Sequence, residues 1–102
     1  MLALVADDKP HNRSFVVNFL EQLGFEIWEA GDGRQMLTLA KSVRPHLIIT
    51  DLIMPSISGV AVISIVKKKY PEIPVIAITG YGEHPEALAT EAHADLVLEK
   101  PF

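Results

Sequence analysis

Five short apolar runs, at residues 2–6, 25–30, 47–50, 75–78 and 96–98, recur along the chain with a helix-patterned or Ala-rich stretch between each and the next. Runs this short are too brief for helices. All but 25–30, which carries Glu26 and Glu29, are apolar at consecutive rather than alternate positions and suit strands buried on both faces. No Asn-Gly hairpin turn joins them, so each strand must reach the next through a helical crossover, and right-handed crossovers build an all-parallel sheet with helices on its faces. The pattern predicts an α/β, doubly wound fold, with residues 1–102 forming one domain.

Local signals agree. Pro10 suits the first position of a helix that carries Phe15, Val16, Phe19, Leu20 and Leu23 at helical spacing, and Gly24 supplies a left-handed stop. Asp32, in Gly31-Asp32-Gly33, can cap a second helix carrying Met36, Leu37, Ala40 and Val43. A third helix is expected from about Ser58 to Tyr70 with Val62, Ile63 and Val66 inside, and a weaker Ala-rich one over 85–92. No repeat or linker-like tract interrupts the series.

Composition removes whole classes of function. An apolar fraction of 49% supplies a core and excludes general disorder. No run approaches the roughly 18 to 20 uncharged residues of a membrane span, and the apolar start runs into two aspartates instead of a cleavage site. With no cysteine, disulfides, thiolate metal sites and thiol nucleophiles are absent. Nine basic against 13 acidic residues give a net charge of -4, which argues against a nucleic-acid surface. A cytoplasmic chain with no membrane partner is expected.

In doubly wound sheets the crevice beyond the carboxyl ends of the strands is where ligands bind. Asp7 and Asp8 follow the first apolar run, Asp51 the third, Thr79 the fourth and Lys100 the fifth. Carboxylates crowded into one site repel, so either one holds a proton or a hard cation neutralises them. Oxygen-only ligation with open water positions suits Mg²⁺. Lys100 offers a point charge and Thr79 a hydroxyl donor for a phosphoryl group, and Asp51 would be the nucleophile that forms an acyl phosphate.

Four runs, LVADD, ITDLIMPSISG, VIAITGYG and LVLEKPF, lie in this order with Asp8, Asp51, Thr79 and Lys100 spaced 43, 28 and 21 residues apart. Over essentially its whole length the chain resembles the receiver domain of two-component response regulators. The resemblance implies a flavodoxin-like five-stranded sheet in the order 2-1-3-4-5. It makes Asp51 the phosphoacceptor, Asp8 and Asp51 direct Mg²⁺ ligands, Asp7 the holder of metal-bound water, and the carbonyl of Ile53 the last protein contact. Thr79 and Lys100 would contact the phosphoryl oxygens, and a cis peptide at Lys100-Pro101 would aim the ammonium. The partner implied is a histidine kinase or histidine phosphotransfer protein. The function is a phosphorylation-dependent switch that assists its own phosphorylation rather than an enzyme with a turnover substrate. The segment from Asp8 to Arg13 is similar to that of receivers attached to hybrid sensor kinases.

Other readings are weaker. A phosphohydrolase of the haloacid dehalogenase type needs a second Asp where Ile53 stands. A pseudo-receiver docking module would not need Asp8, Asp51, Thr79 and Lys100 intact. A flavin carrier lacks a phosphate loop after the first strand. Trp28 is expected to pack, Lys67, Lys68 and Lys69 to be solvated at a helix end, and the four histidines to hold no metal. Val97 replaces the aromatic usual three residues before the lysine, leaving Tyr81 as the candidate for the reporting motion. Bulky Ile53 and Tyr81 beside Asp51 suggest a long-lived acyl phosphate. Receivers continue into a fifth helix after Lys-Pro-Phe, whereas this sequence ends at Phe102. One sheet face should therefore lack cover, through a shortened chain or self-association.

Overall fold

The computed structural model describes residues 1–52, 54, 56–79 and 93–99. The elements run β1 (Leu2–Ala6), α1 (Pro10–Gln22), β2 (Glu26–Ala30), α2 (Gly33–Val43), β3 (Leu47–Asp51), α3 (Gly59–Lys69), β4 (Val75–Thr79) and β5 (Leu96–Glu99). All strand pairings are parallel, and the order is β2-β1-β3-β4-β5. The expected fold class and strand order are therefore both found. The helix expected over 85–92 and the Lys100-Pro101 peptide lie outside the described residues.

The helix boundaries follow the local chemistry. Pro10 opens α1, and Gly24 takes a φ of +93° just beyond its end. The Asp32 side chain accepts from Gln35 N–H at 2.8 Å, and the Ser58 side chain from Ala61 N–H at 3.2 Å, so each cap satisfies a first-turn donor that would otherwise be orphaned.

The core has two halves, one on each sheet face. Met36 and Ala40 of α2 and Val62, Ile63 and Val66 of α3 pack with Leu4, Ile48, Val75 and Ala77 on one face. On the other face Val16, Val17 and Leu20 of α1 cover Ala3, Val5, Ile49 and Ile78. That second half is smaller. Helical spacing predicts that Phe15, Phe19 and Leu23 point inward with Val16 and Leu20, yet they are 56%, 58% and 61% exposed. The helix lies along β1 and β2, so its further apolar flank faces the part of the sheet formed by β4 and β5 across a gap. The result is an apolar groove of about 420 Å³ lined by Phe15, Phe19, Ile49, Ile76, Ile78 and Leu98, among others. The expected lack of cover is thus confined, among the described residues, to the β5 end of this face, where Leu96 and Leu98 are 50% and 43% exposed, while Ile49 and Ile78 are buried.

Two further expectations need correction. Trp28 is 48% exposed because β2 is an edge strand that, among the described residues, pairs only with β1, so one flank of it has no neighbouring strand there. Lys67 is not a solvated end-of-helix charge. Its ammonium donates at 2.9 Å to the carbonyls of Pro71 and Ile73 and to Asp95 Oδ2, while the Asp95 carboxylate also accepts from Val75 N–H at 2.8 Å. This clamp ties the end of α3 and the turn after it to the starts of β4 and β5. Lys68 and Lys69 are exposed as expected.

Candidate functional site

Register decides which polar residues meet. Ala6 of β1 pairs with Thr50 of β3, so the next residue on each strand, Asp7 and Asp51, emerges side by side at the carboxyl edge of the sheet. Asp51 pairs with Ile78 of β4, which puts Thr79 one step further along the same edge, where it pairs with Glu99 of β5. Lys100 follows Glu99 directly but lies outside the described residues, as do Ile53 and Tyr81.

Asp7, Asp8 and Asp51 each offer a carboxylate oxygen, and these oxygens lie within 4.8 Å of one another. Asp7 and Asp51 are buried, at 3% and 5% exposure, and Asp8 opens to solvent. Two buried carboxylates with a third more exposed form an acidic cluster whose donors are oxygen alone. That donor set suits a small hard cation that keeps some of its water, and Mg²⁺ fits it. No other group of three or more candidate ligands occurs among the described residues.

The hydroxyl of Thr79 is buried without a hydrogen-bond partner among the described residues. Leaving such a group unpaired costs on the order of 1 to 3 kcal/mol, so its retention beside the acidic cluster is a reason to look for an acceptor that arrives from outside.

The backbone around the cluster is tightly specified. Asp7 N–H donates to the Ala30 carbonyl at 3.1 Å, and Asp7 Oδ1 accepts from Lys9 N–H at 2.9 Å. Leu52 N–H donates to Ile78 O, and Gly59 N–H to Leu52 O, which folds the chain after Asp51 back over its own strand. Glycine at 59 is required there, since a β-carbon would overlap the Asp51 carbonyl oxygen. The next loop docks on α2, where Gly33 abuts the Ile57 carbonyl and Ser56 Oγ accepts from Arg34 N–H at 3.3 Å.

One residue of the site escapes the sequence reading. Arg13 of α1 donates from Nη1 to the Asp7 carbonyl oxygen at 2.6 Å and from Nε to Glu29 Oε1 at 3.0 Å. The available signal is an arginine in the opening turns of a helix whose first turn holds no acidic residue. A cation there opposes the helix dipole and needs some other reason to be present.

An all-parallel sheet of order 2-1-3-4-5 with a carboxylate cluster at its switch point defines a doubly wound α/β module of the receiver kind. The response regulator receiver domain model matches residues 3–102, and the chain belongs to that family. It is 34% identical over 103 residues to response regulator RR06 of Streptococcus pneumoniae, covering 100% of this chain and 47% of that protein. It is also 34% identical over 100 residues to the C4-dicarboxylate transport transcriptional regulatory protein DctD of Pseudomonas aeruginosa, covering 97% of this chain and 22% of that protein. The chain thus spans less than half the length of these curated relatives. Among solved structures it is similar to the chemotaxis response regulator CheY4 of Vibrio cholerae, with a TM-score of 0.89 and 30% identity over 99% of this chain and 87% of that one. The signal receiver domain of a signal transduction histidine kinase from Syntrophus aciditrophicus gives a TM-score of 0.89 at 28% identity, over 99% and 79% of the two chains. Among the described residues, no helix is long and apolar enough to cross a membrane.

Proposed function

We propose that the chain is a phosphoacceptor switch that takes a phosphoryl group onto Asp51 from the phosphohistidine of a histidine kinase or a histidine phosphotransfer protein. The reading rests chiefly on one observation, the meeting of Asp7, Asp8 and Asp51 within 4.8 Å beside the Thr79 hydroxyl, which has no hydrogen-bond partner among the described residues. Family membership supports it, since response regulators work with histidine kinases.

An Asp51 carboxylate oxygen attacks phosphorus, and an O–P bond forms as the P–N bond of the phosphohistidine breaks. The electron pair stays on the imidazole nitrogen, which takes up a proton. Asp7, Asp8 and Asp51, with the carbonyl of Ile53, would hold Mg²⁺, which offsets the negative charge on the transferred oxygens. Thr79 donates its hydroxyl hydrogen to a phosphoryl oxygen, and Lys100 places its ammonium against another. These groups belong to the switch itself, so it assists its own phosphorylation and can use small phosphodonors. The added charge draws Thr79 toward the phosphoryl group and shifts the loops after β3 and β4 between two arrangements that a partner distinguishes.

Incubation with acetyl phosphate, with Mg²⁺ or with chelator, followed by intact-mass measurement, tests the reading. A gain of one phosphoryl group in the wild type, absent with chelator and absent in Asp51→Asn, supports the switch. No gain under any condition favours a docking module that keeps the shape alone.

A further inference from the structure

The peptide joining Asp7 to Asp8 lies between the two neighbouring carboxylates of the cluster, and its orientation fixes the angle at which they leave the backbone. A rigid planar unit of this kind is set once its carbonyl is held. The Asp7 carbonyl is held by Arg13 Nη1 at 2.6 Å, and the same guanidinium reaches Glu29 on β2 through Nε at 3.0 Å. Asp7 N–H is tied to the carbonyl of Ala30, the residue after Glu29. Both backbone polar groups of Asp7 are thereby referred to the end of β2.

We propose that Arg13 is a positioning residue for the acidic cluster, bridging the Asp7 carbonyl to Glu29 and so setting the divergence of the Asp7 and Asp8 carboxylates that receive the divalent cation. The inference rests on the functional reading above and deepens it. Three observations converge. The Arg13 side chain is only 20% exposed, so its fork is held within the structure rather than waving in solvent. Its place early in α1 runs against the helix dipole, so helix stability does not account for it. A planar fork can serve two acceptors at fixed angles, whereas a lysine ammonium offers one donor centre on a flexible stem.

The sign of the effect separates positioning from simple charge. Arg13 is a cation near a cation site, so by Coulomb's law alone its removal would tighten Mg²⁺ binding. Positioning predicts the reverse, because outer partners that orient metal ligands are worth about 10- to 100-fold in affinity. Calorimetric Mg²⁺ titration of wild type, Arg13→Met, Arg13→Lys and Glu29→Gln, each with a thermal melt, decides. Arg13→Met is expected to weaken binding about tenfold, Arg13→Lys to recover only part of that, and Glu29→Gln, which keeps an acceptor for Nε, to stay within about twofold. Binding in folded Arg13→Met that equals or exceeds wild type, whatever its melting temperature, overturns the proposal. If Arg13→Met does not fold, wild-type affinity in Arg13→Lys overturns it equally. Absence of Mg²⁺ binding by the wild type defeats the functional reading and this inference together, whereas normal wild-type binding with unaltered variants defeats the inference alone.

Discussion

Gly59, the first residue of α3, sits so close to the carbonyl oxygen of Asp51 that no β-carbon can be placed between them. The chain leaves β3 and turns back over Leu52, whose carbonyl accepts from Gly59 N–H at 2.9 Å. The start of α3 and the end of β3 are therefore held against each other at this point.

Gly59→Ala forces these backbones apart. Overpacking of this kind typically costs about 1 to 3 kcal/mol, and backbone against backbone has little room to yield, so a loss at the upper end is expected. Urea denaturation should show a lower midpoint with an unchanged slope, and phosphoryl acceptance on Asp51 should slow because its strand end has moved. A Gly59→Ala protein as stable and as fast as wild type would show that the loop relaxes freely.

Thr79 separates stability from function. Its hydroxyl is buried and unpartnered among the described residues, so Thr79→Val removes a polar group that folding leaves unpaired, and a gain on the order of 1 kcal/mol is expected. The same variant lacks the donor assigned to the phosphoryl oxygen, so it should accept phosphate more slowly from acetyl phosphate while melting higher. Thr79→Ser, which keeps the hydroxyl, should retain acceptance. Melting curves and phosphorylation time courses on the three proteins read both effects.

The Lys67–Asp95 clamp introduces a dependence on pH. Partial burial opposes the charge on Asp95, but the hydrogen bond from Lys67, the bond from Val75 N–H and the lysine's positive charge outweigh it and hold the carboxyl below its usual 3.8. A carboxylate with a lowered folded-state pKa contributes its stability fully above the unfolded value. That contribution is lost as pH falls below about 4 toward the folded value. Asp95 is 47% exposed, so screening keeps the pair at no more than about 1 kcal/mol. Asp95→Asn should therefore lower stability slightly at pH 7 and converge with wild type in acid. Parallel curves across the whole range would remove the clamp from the account.

Much of this is legible in the sequence, and what is not has physical causes. β1 and the Asp32 cap stand where the apolar run and turn chemistry put them, because both are local. The acidic cluster is legible because strand ends in a parallel sheet share one edge. The outward turn of Phe15 and Phe19 is not, since helical spacing defines an apolar flank without saying how far the sheet beneath it extends. Trp28 is exposed for a similar reason, as only strand order makes β2 an edge. The Lys67 clamp depends on Asp95, 28 residues away, and the Arg13 bridge on Glu29, 16 residues away, and neither pairing has a local signal.

The central claim is that Asp51, and no other side chain, receives the phosphoryl group. Borohydride reduces an acyl phosphate to a primary alcohol and would convert a phosphorylated aspartate to homoserine. After treatment with acetyl phosphate and Mg²⁺, reduction and peptide mapping, the account predicts homoserine at residue 51 alone, lost when Mg²⁺ is chelated. Homoserine at Asp7 or Asp8, or a stable phosphoryl group on one of the histidines with residue 51 unmodified, would contradict it.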